Sequence, residues 1–185
     1  IEEDTMNIDT DKIEALINEN TKAIIVVDFA GQPCDYHKIM PIVKKHNLVL
    51  IEDAAHSIGT QINSCQNKPK VGSYADITTF SFHPVKIITT GEGGMALTNI
   101  KEIASKISLY RSHGITREES LMEYNSDGPW YYEQIGLGFN YRMTDIHAAL
   151  GISQFKRIDK FISKRHQIAE RYNIELSSLP LKTPK

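Results

Sequence analysis

Cysteine and tryptophan are scarce in this chain of 185 residues: Cys34 and Cys65 are the two cysteines, and Trp130 is the single tryptophan. Two cysteines are too few for a disulfide scaffold and suit a reducing compartment, so a cytoplasmic location is expected. No apolar run approaches the ~20 residues that a membrane span needs. Neither sign of charge dominates: 21 Lys+Arg stand against 23 Asp+Glu, for a net charge of −2 with histidines neutral. That removes the electrostatic footprint of a nucleic-acid binder. The chain opens Ile1-Glu2-Glu3-Asp4, with no basic n-region, no apolar h-region and no Met. It does not read as a signal peptide, and it is expected to start inside a longer chain. Internal repeats and low-complexity tracts are missing as well. What remains is an ordinary globular composition, 41% apolar and 24% charged, long enough to bury a core in one domain or one domain plus a fragment.

The patterning alternates between strand and helix. Ile13, Leu16 and Ile17 have helical spacing behind Asp9 and Thr10, either of which is placed to cap. Ala23 to Val27 is a continuous apolar run closed by Asp28, and suits a strand buried on both faces. Ile39, Ile42 and Val43 then predict a short helix, with Pro41 best placed in its first turn. Leu48 to Ile51 is a second apolar run, ending at Glu52 and Asp53. Strand, helix, strand in that order is a βαβ unit and implies a parallel sheet. Ile77 to Phe82 alternates and is rich in β-branched and aromatic residues, and Met95 to Thr98 predicts a further strand. Ile103, Ile107 and Tyr110 mark an amphipathic helix with Gly114 as its C′ residue. Residues 115 to 140 are polar, irregular and aromatic. A loop of that length inside a compact domain points to function or to an interface. From Thr144 the pattern is helical, with Gly151 and Ser153 predicted to divide it into two helices.

Two stretches follow predicted strands and carry chemistry. Glu52-Asp53-Ala54-Ala55-His56 sits beyond a strand's carboxyl end, where parallel α/β sheets bind ligands. Asp53 there suits a cationic ligand group, and equally suits capping of the next turn. Ser81-Phe82-His83-Pro84-Val85-Lys86 leaves another strand. A lysine flanked by Val85 and Ile87 is partly desolvated, which favours its amine as a nucleophile, though a surface lysine reads the same way. Gly91-Glu92-Gly93-Gly94 allows close backbone approach. It is neither G-x-G-x-x-G nor a P-loop. His56, His83, Cys65 and Asp53 match no zinc spacing, so no metal is expected. G-x-S-x-G, the mark of a Ser-His-Asp hydrolase on an α/β sheet, is missing.

Taken together the stretches are more specific than any one of them. Asp53-x-x-His56, then Ser81-Phe82-His83-x-x-Lys86, then Gly91-Glu92-Gly93-Gly94, then Gly138-Phe139-Asn140-Tyr141-Arg142 before a helix, resemble the DegT/DnrJ/EryC1/StrS family of sugar aminotransferases dependent on pyridoxal phosphate. Within it they are most similar to the PseC-like branch, which aminates a UDP-4-keto-6-deoxy amino sugar on the way to pseudaminic acid. The resemblance runs in order along the whole chain and covers about half of a family member. It implies a fold-type-I large domain, α/β with a mainly parallel sheet flanked by helices. Residues 1–150 would form the central part of that cofactor-binding domain, and residues 151–185 a helical connection toward a small C-terminal domain. Family members also carry an upstream Gly-Thr phosphate loop and an aromatic residue that stacks on the ring, so the chain is expected to be truncated at both ends.

The resemblance also implies roles. Lys86 matches the lysine that forms the aldimine with the cofactor and moves the proton. Asp53 matches the carboxylate facing the pyridine nitrogen. His56 matches a Gln or His near the ring hydroxyl, and Ser81 the hydroxyl that binds the phosphate. Asn140 matches an amide reaching the phosphate from a neighbouring subunit, which implies a homodimer with shared sites. Loop 115–140 would then lie near that interface. The implied reaction is amine transfer, from an amino-acid donor such as glutamate, onto a nucleotide-linked 4-keto-6-deoxy sugar. Some relatives carry His in place of the lysine and dehydrate the sugar instead; the residue here is Lys86. The alternatives are a dehydratase or epimerase on the same cofactor, and a non-catalytic regulatory member of the same fold.

Overall fold

The computed structural model describes residues 1–63 and 67–183. Cys65 and the chain end at Pro184-Lys185 lie outside the described residues.

Asp9 settles the first cap: its carboxylate accepts from the Asp11 N–H at 3.2 Å. Helix α1 (Thr10–Ile13) follows and tightens into a 3₁₀ turn at Glu14–Leu16. Strand β1 (Ala23–Val27) has the bounds that its apolar run predicts. Helix α2 (Tyr36–Lys45) starts earlier than the apolar spacing suggests. The Asp35 carboxylate accepts from both His37 and Lys38 N–H groups and so initiates the helix at Tyr36. Pro41 consequently falls in the second turn rather than the first.

Strand β2 (Val49–Asp53) pairs in parallel with β1, and β3 (Ile77–Ser81) in parallel with β2. Strand β4 (Gly94–Leu97) runs antiparallel to β3. The sheet order is β1-β2-β3-β4, mostly parallel as expected. Burial alternates strictly along the three parallel strands. Ile24, Val26, Leu50, Glu52, Thr78 and Phe80 are buried, as are Tyr36, Ile39 and Val43 of α2 and Ile62 and Ile88. The opposite face is open. Ile25 is 63% exposed and Val27 42% exposed, so β1 is not covered on both faces as its unbroken apolar run predicts.

Helix α3 (Lys101–Arg111) ends at Ser112; His113 is the C′ residue, at φ 64°, and Gly114 follows it at φ 69°. The irregular stretch after it is not entirely loop. β5 (Ile115–Thr116) and β6 (Glu133–Gln134) pair antiparallel, and residues 135 to 141 run back along the end of α3. His113 N–H donates to Phe139 O at 2.9 Å, and Tyr141 N–H to Arg111 O at 2.9 Å.

Helix α4 (Asp145–Phe155) and helix α5 (Ile158–Glu175) close the chain. The break falls at Lys156-Arg157, not at Gly151. Gly151 lies inside the helix, where a Cβ would come within 2.7 Å of Thr90 Cγ2; the glycine permits that close packing. The backbone divides into two compact units, Ile1–Leu97 with Asp145–Lys185, and Thr98–Thr144. Among the described residues no helix is long and apolar enough to cross a membrane.

Candidate functional site

Register puts two of the expected site residues on one face. Asp53 pairs with Thr79, and Ser81 lies two residues further along β3 on the same side. Side chains of a strand alternate between faces, and partners in register share a face. Asp53 and Ser81 therefore stand at the carboxyl ends of adjacent parallel strands, on the open face of the sheet. Both are half-buried. Asp53 Oδ1 accepts from the Ala55 N–H at 3.0 Å and so turns the chain after β2. Its Oδ2 has no donor among the described residues. The Ser81 hydroxyl accepts from the His83 N–H at 3.4 Å and donates to no group among the described residues.

The turn that Asp53 starts carries His56. Its Nδ1 accepts from the Ala30 N–H at 3.3 Å, and the Phe29 ring meets it edge-on at 6.4 Å. Below the turn, Ser57 is fully buried and donates to Asp28. Gly59 closes the turn at φ 86°, where a Cβ would come within 2.5 Å of Ile162 in α5.

Lys86 lies in the loop that leaves β3. Phe82 O accepts from both the Thr90 N–H and the Thr89 hydroxyl at 3.0 Å, which closes the loop at its base. Lys86 N–H donates to His83 O at 3.0 Å, and Arg165 of α5 reaches Lys86 O at 3.5 Å. The Lys86 side chain is half-buried and has no ion-pair partner among the described residues. The glycine turn returns the chain to β4. A Cβ on Gly94 would sit 2.7 Å from Phe80 O, so the β3–β4 pairing itself requires glycine there.

Beneath Asp53 lies a buried acidic cluster that the motifs do not announce. Asp28, Tyr36 and Glu52 are fully buried. The Tyr36 hydroxyl is 3.1 Å from Asp28 Oδ1 and 2.5 Å from Glu52 Oε1. Cys34 N–H and the Ser57 hydroxyl donate to Asp28 at 3.0 and 2.9 Å. The Thr78 hydroxyl and Gly72 N–H donate to Glu52 Oε2 at 2.7 and 3.0 Å. Burial pushes both carboxyls above the usual carboxylate range, against the pull of these hydrogen bonds. Burial likewise pushes up the Tyr36 phenol and the Cys34 thiol, with the Asp28 charge adding to it. Tyr36 carries no sequence signal of this role: it is 8 residues from Asp28 and 16 from Glu52.

Asn140, the remaining expected site residue, belongs to the second unit. It is exposed and forms an isolated antiparallel bridge with Ser112. Among the described residues no group of three or more His, Cys, Asp and Glu could hold a metal ion.

The free groups fit pyridoxal phosphate. Asp53 Oδ2 is an anionic acceptor for a protonated ring nitrogen, the Ser81 hydroxyl proton is available to a phosphate oxygen, and Lys86 offers an unpaired amine. Several known proteins are similar to this chain in sequence or fold. The chain is 44% identical over 172 residues to a UDP-4-amino-4,6-dideoxy-N-acetyl-beta-L-altrosamine transaminase of Campylobacter jejuni, covering 91% of this chain and 42% of that one. The structure of Helicobacter pylori PseC, an aminotransferase involved in the biosynthesis of pseudoaminic acid, superposes with a TM-score of 0.83 at 38% identity, covering 94% of this chain and 43% of PseC. An Escherichia coli GDP-4-keto-6-deoxy-D-mannose-3-dehydratase with bound hydrated PLP superposes with a TM-score of 0.85 at 30% identity, covering 100% of this chain and 48% of the dehydratase. The chain thus spans less than half the length of these relatives. The model of one family matches it from residue 1 to residue 185, and the chain belongs to that family, the DegT/DnrJ/EryC1/StrS aminotransferases.

Proposed function

We propose that the protein carrying this chain is a pyridoxal-phosphate-dependent aminotransferase that moves an amino group, from a donor such as glutamate, onto a nucleotide-linked 4-keto-6-deoxy sugar. The observation that carries this reading is that Asp53 and Ser81 share one open sheet face, with Lys86, which has no ion-pair partner among the described residues, in the loop that follows Ser81. When bound, pyridoxal phosphate supplies an aldehyde and a ring that accepts electrons. Asp53 Oδ2 holds the proton on the ring nitrogen by its charge. Ser81 donates its hydroxyl hydrogen to the phosphate. Lys86 Nζ would be the amine that holds the cofactor's aldehyde and the group that carries the proton to and from the sugar. His56 would serve the ring's hydroxyl side. Asn140 serves a second copy of the chain at the phosphate, which makes the working form a homodimer. The choice of sugar follows the names of the transaminase and PseC relatives.

Dehydration of the same class of sugar is the second reading, favoured by the likeness to the E. coli dehydratase. Lysine rather than histidine at position 86 speaks for amine transfer. The test is incubation with pyridoxal phosphate, reduction with borohydride and peptide mass mapping. A phosphopyridoxyl group on Lys86 is expected, and Lys86→Ala is expected to carry none. No adduct, or adducts scattered over surface lysines, overturns the cofactor reading. Stoichiometric consumption of glutamate separates transamination from dehydration.

A further inference from the structure

We propose that Glu52 is held as a neutral carboxylic acid at neutral pH, donating its proton to the Tyr36 hydroxyl, which in turn donates to an ionised Asp28. The inference is independent of the cofactor and rests on a count of hydrogens. The Tyr36 oxygen lies within hydrogen-bond distance of both carboxyls. A phenol carries one hydrogen and can satisfy one of them. The other contact would set two lone pairs against each other in a site closed to water, unless a carboxyl supplies the missing hydrogen.

Its location follows from the remaining donors. Asp28 receives Cys34 N–H and Tyr36 on Oδ1 and the Ser57 hydroxyl on Oδ2, three donors that suit an ionised carboxylate. Glu52 Oε2 is taken by the Thr78 hydroxyl and Gly72 N–H, whereas Oε1 has only Tyr36 as a partner among the described residues. Oε1 is therefore the oxygen with room for a proton. Among the described residues the surroundings offer no cation in compensation. The titratable groups nearest the cluster are Cys34, whose N–H donates to Asp28, and Tyr74, stacked on Tyr36 at 5.9 Å; Asp76 accepts from Leu50 N–H, Asp53 adjoins Glu52 along β2 with its side chain on the opposite face, and His56, beside Ser57, is exposed and accepts from Ala30 N–H. Among the described residues no Lys, Arg or His forms an ion pair with Asp28 or Glu52. Two buried carboxylates bridged by one phenol cannot both ionise without a large penalty.

A neutral Glu52 has a use in this fold. It ties α2 through Tyr36, the 70s loop through Gly72 and β3 through Thr78 to the strand end that bears Asp53. It does so without placing a second negative charge one residue from Asp53. Glu52 is thus a positioning residue, and its proton is part of the clamp.

Infrared spectroscopy of the protein with ¹³C-labelled glutamate carboxyls tests this at a pH well above the carboxylate range. A carboxylic-acid carbonyl band above the amide I region is expected, shifted by the label and lost in Glu52→Gln. No such band, a band unmoved by glutamate labelling, or one that survives in Glu52→Gln overturns the proposal. The labelled wild-type spectrum decides even where the variant does not fold. Stability gives a second readout. A Glu52 that keeps its proton in the folded state but loses it in the unfolded chain above about pH 4.3 lowers the folding equilibrium constant about tenfold per pH unit in that window. Glu52→Gln mimics the neutral acid and is expected to fold without that slope, whereas Asp28→Asn is expected to destabilise strongly. Equal slopes in wild type and Glu52→Gln, or a mild Asp28→Asn beside a severe Glu52→Gln, overturn the assignment.

Discussion

The Ala30 N–H donates to Nδ1 of His56 at 3.3 Å and joins the turn after β1 to the turn after β2. Ala30 sits at φ 53°, in the left-handed region. An alanine there carries a backbone cost of about 1 kcal/mol. Gly31 follows at φ 92°, where a Cβ would approach His56 O at 3.0 Å. A ring nitrogen that accepts is bare, so the neutral His56 ring bears its hydrogen on Nε2 and offers a donor outward. Ala30→Gly is expected to raise stability by roughly 0.5–1 kcal/mol and keep this tautomer. Ala30→Pro removes the donor and is expected to lose both. Denaturant unfolding and ¹⁵N imidazole shifts check the pair.

Asp53 has one oxygen committed to the Ala55 N–H and one free. Asp53→Asn keeps an acceptor for the turn and loses the charge proposed to face the ring nitrogen. Transamination is expected to fall by about 10²–10³-fold, with little change in thermal stability. Steady-state rates and a melting curve separate the two. A variant that melts far below wild type would mark Asp53 as a capping residue instead.

Gly114 is where the second unit has no slack. It adopts φ 69°, and a Cβ would fall 1.9 Å from Gly136 O. Gly114→Ala has to move backbone, and is expected to cost about 2–3 kcal/mol. Amide hydrogen exchange is expected to accelerate across residues 98–144 and to remain slow in β1, β2 and β3.

Glu133 gathers the tip of the long loop. Its carboxylate accepts from Glu123 N–H at 2.6 Å, Tyr124 N–H at 2.9 Å and the Tyr131 hydroxyl at 2.9 Å. Desolvation pushes its carboxyl up, but these bonds outweigh it and hold the group below the usual carboxylate range. A carboxyl lowered in the folded state stabilises above its unfolded pKa and loses that contribution as pH falls through the folded one. Protection of the Glu123 and Tyr124 amides is therefore expected to fall on acidification below about pH 4.3. Glu133→Gln is expected to show weaker protection at neutral pH and no such pH dependence.

Much of the fold was legible because strands and caps are local. The run Ala23 to Val27 stands as β1, and β2, β3 and β4 lie within a residue or two of their apolar runs. Where reading failed, the physical reason differs from one element to the next. Gly151 lies inside α4, where Thr90 packs against it. Asp35 draws the start of α2 forward and leaves Pro41 in the second turn. The apolar run of β1 speaks of burial on both faces, yet the residues described here cover only one.

The sequence by itself determined the order of the elements, the family, and which residues follow which strand ends: Asp53 and His56 after β2, Ser81 and Lys86 after β3. Chain-local spacing, apolar runs and turn chemistry are enough for that. Only the tertiary structure decided the register that pairs Asp53 with Thr79 and sets Ser81 on the same face. It also decided that Asp28, Tyr36 and Glu52 meet in a site closed to water. Those arrangements rest on strand pairing and burial between segments up to 29 residues apart, as in the Ser57–Asp28 bond. Long-range hydrogen bonds of that kind exist only once the sheet has closed, and no local pattern of residue types encodes them.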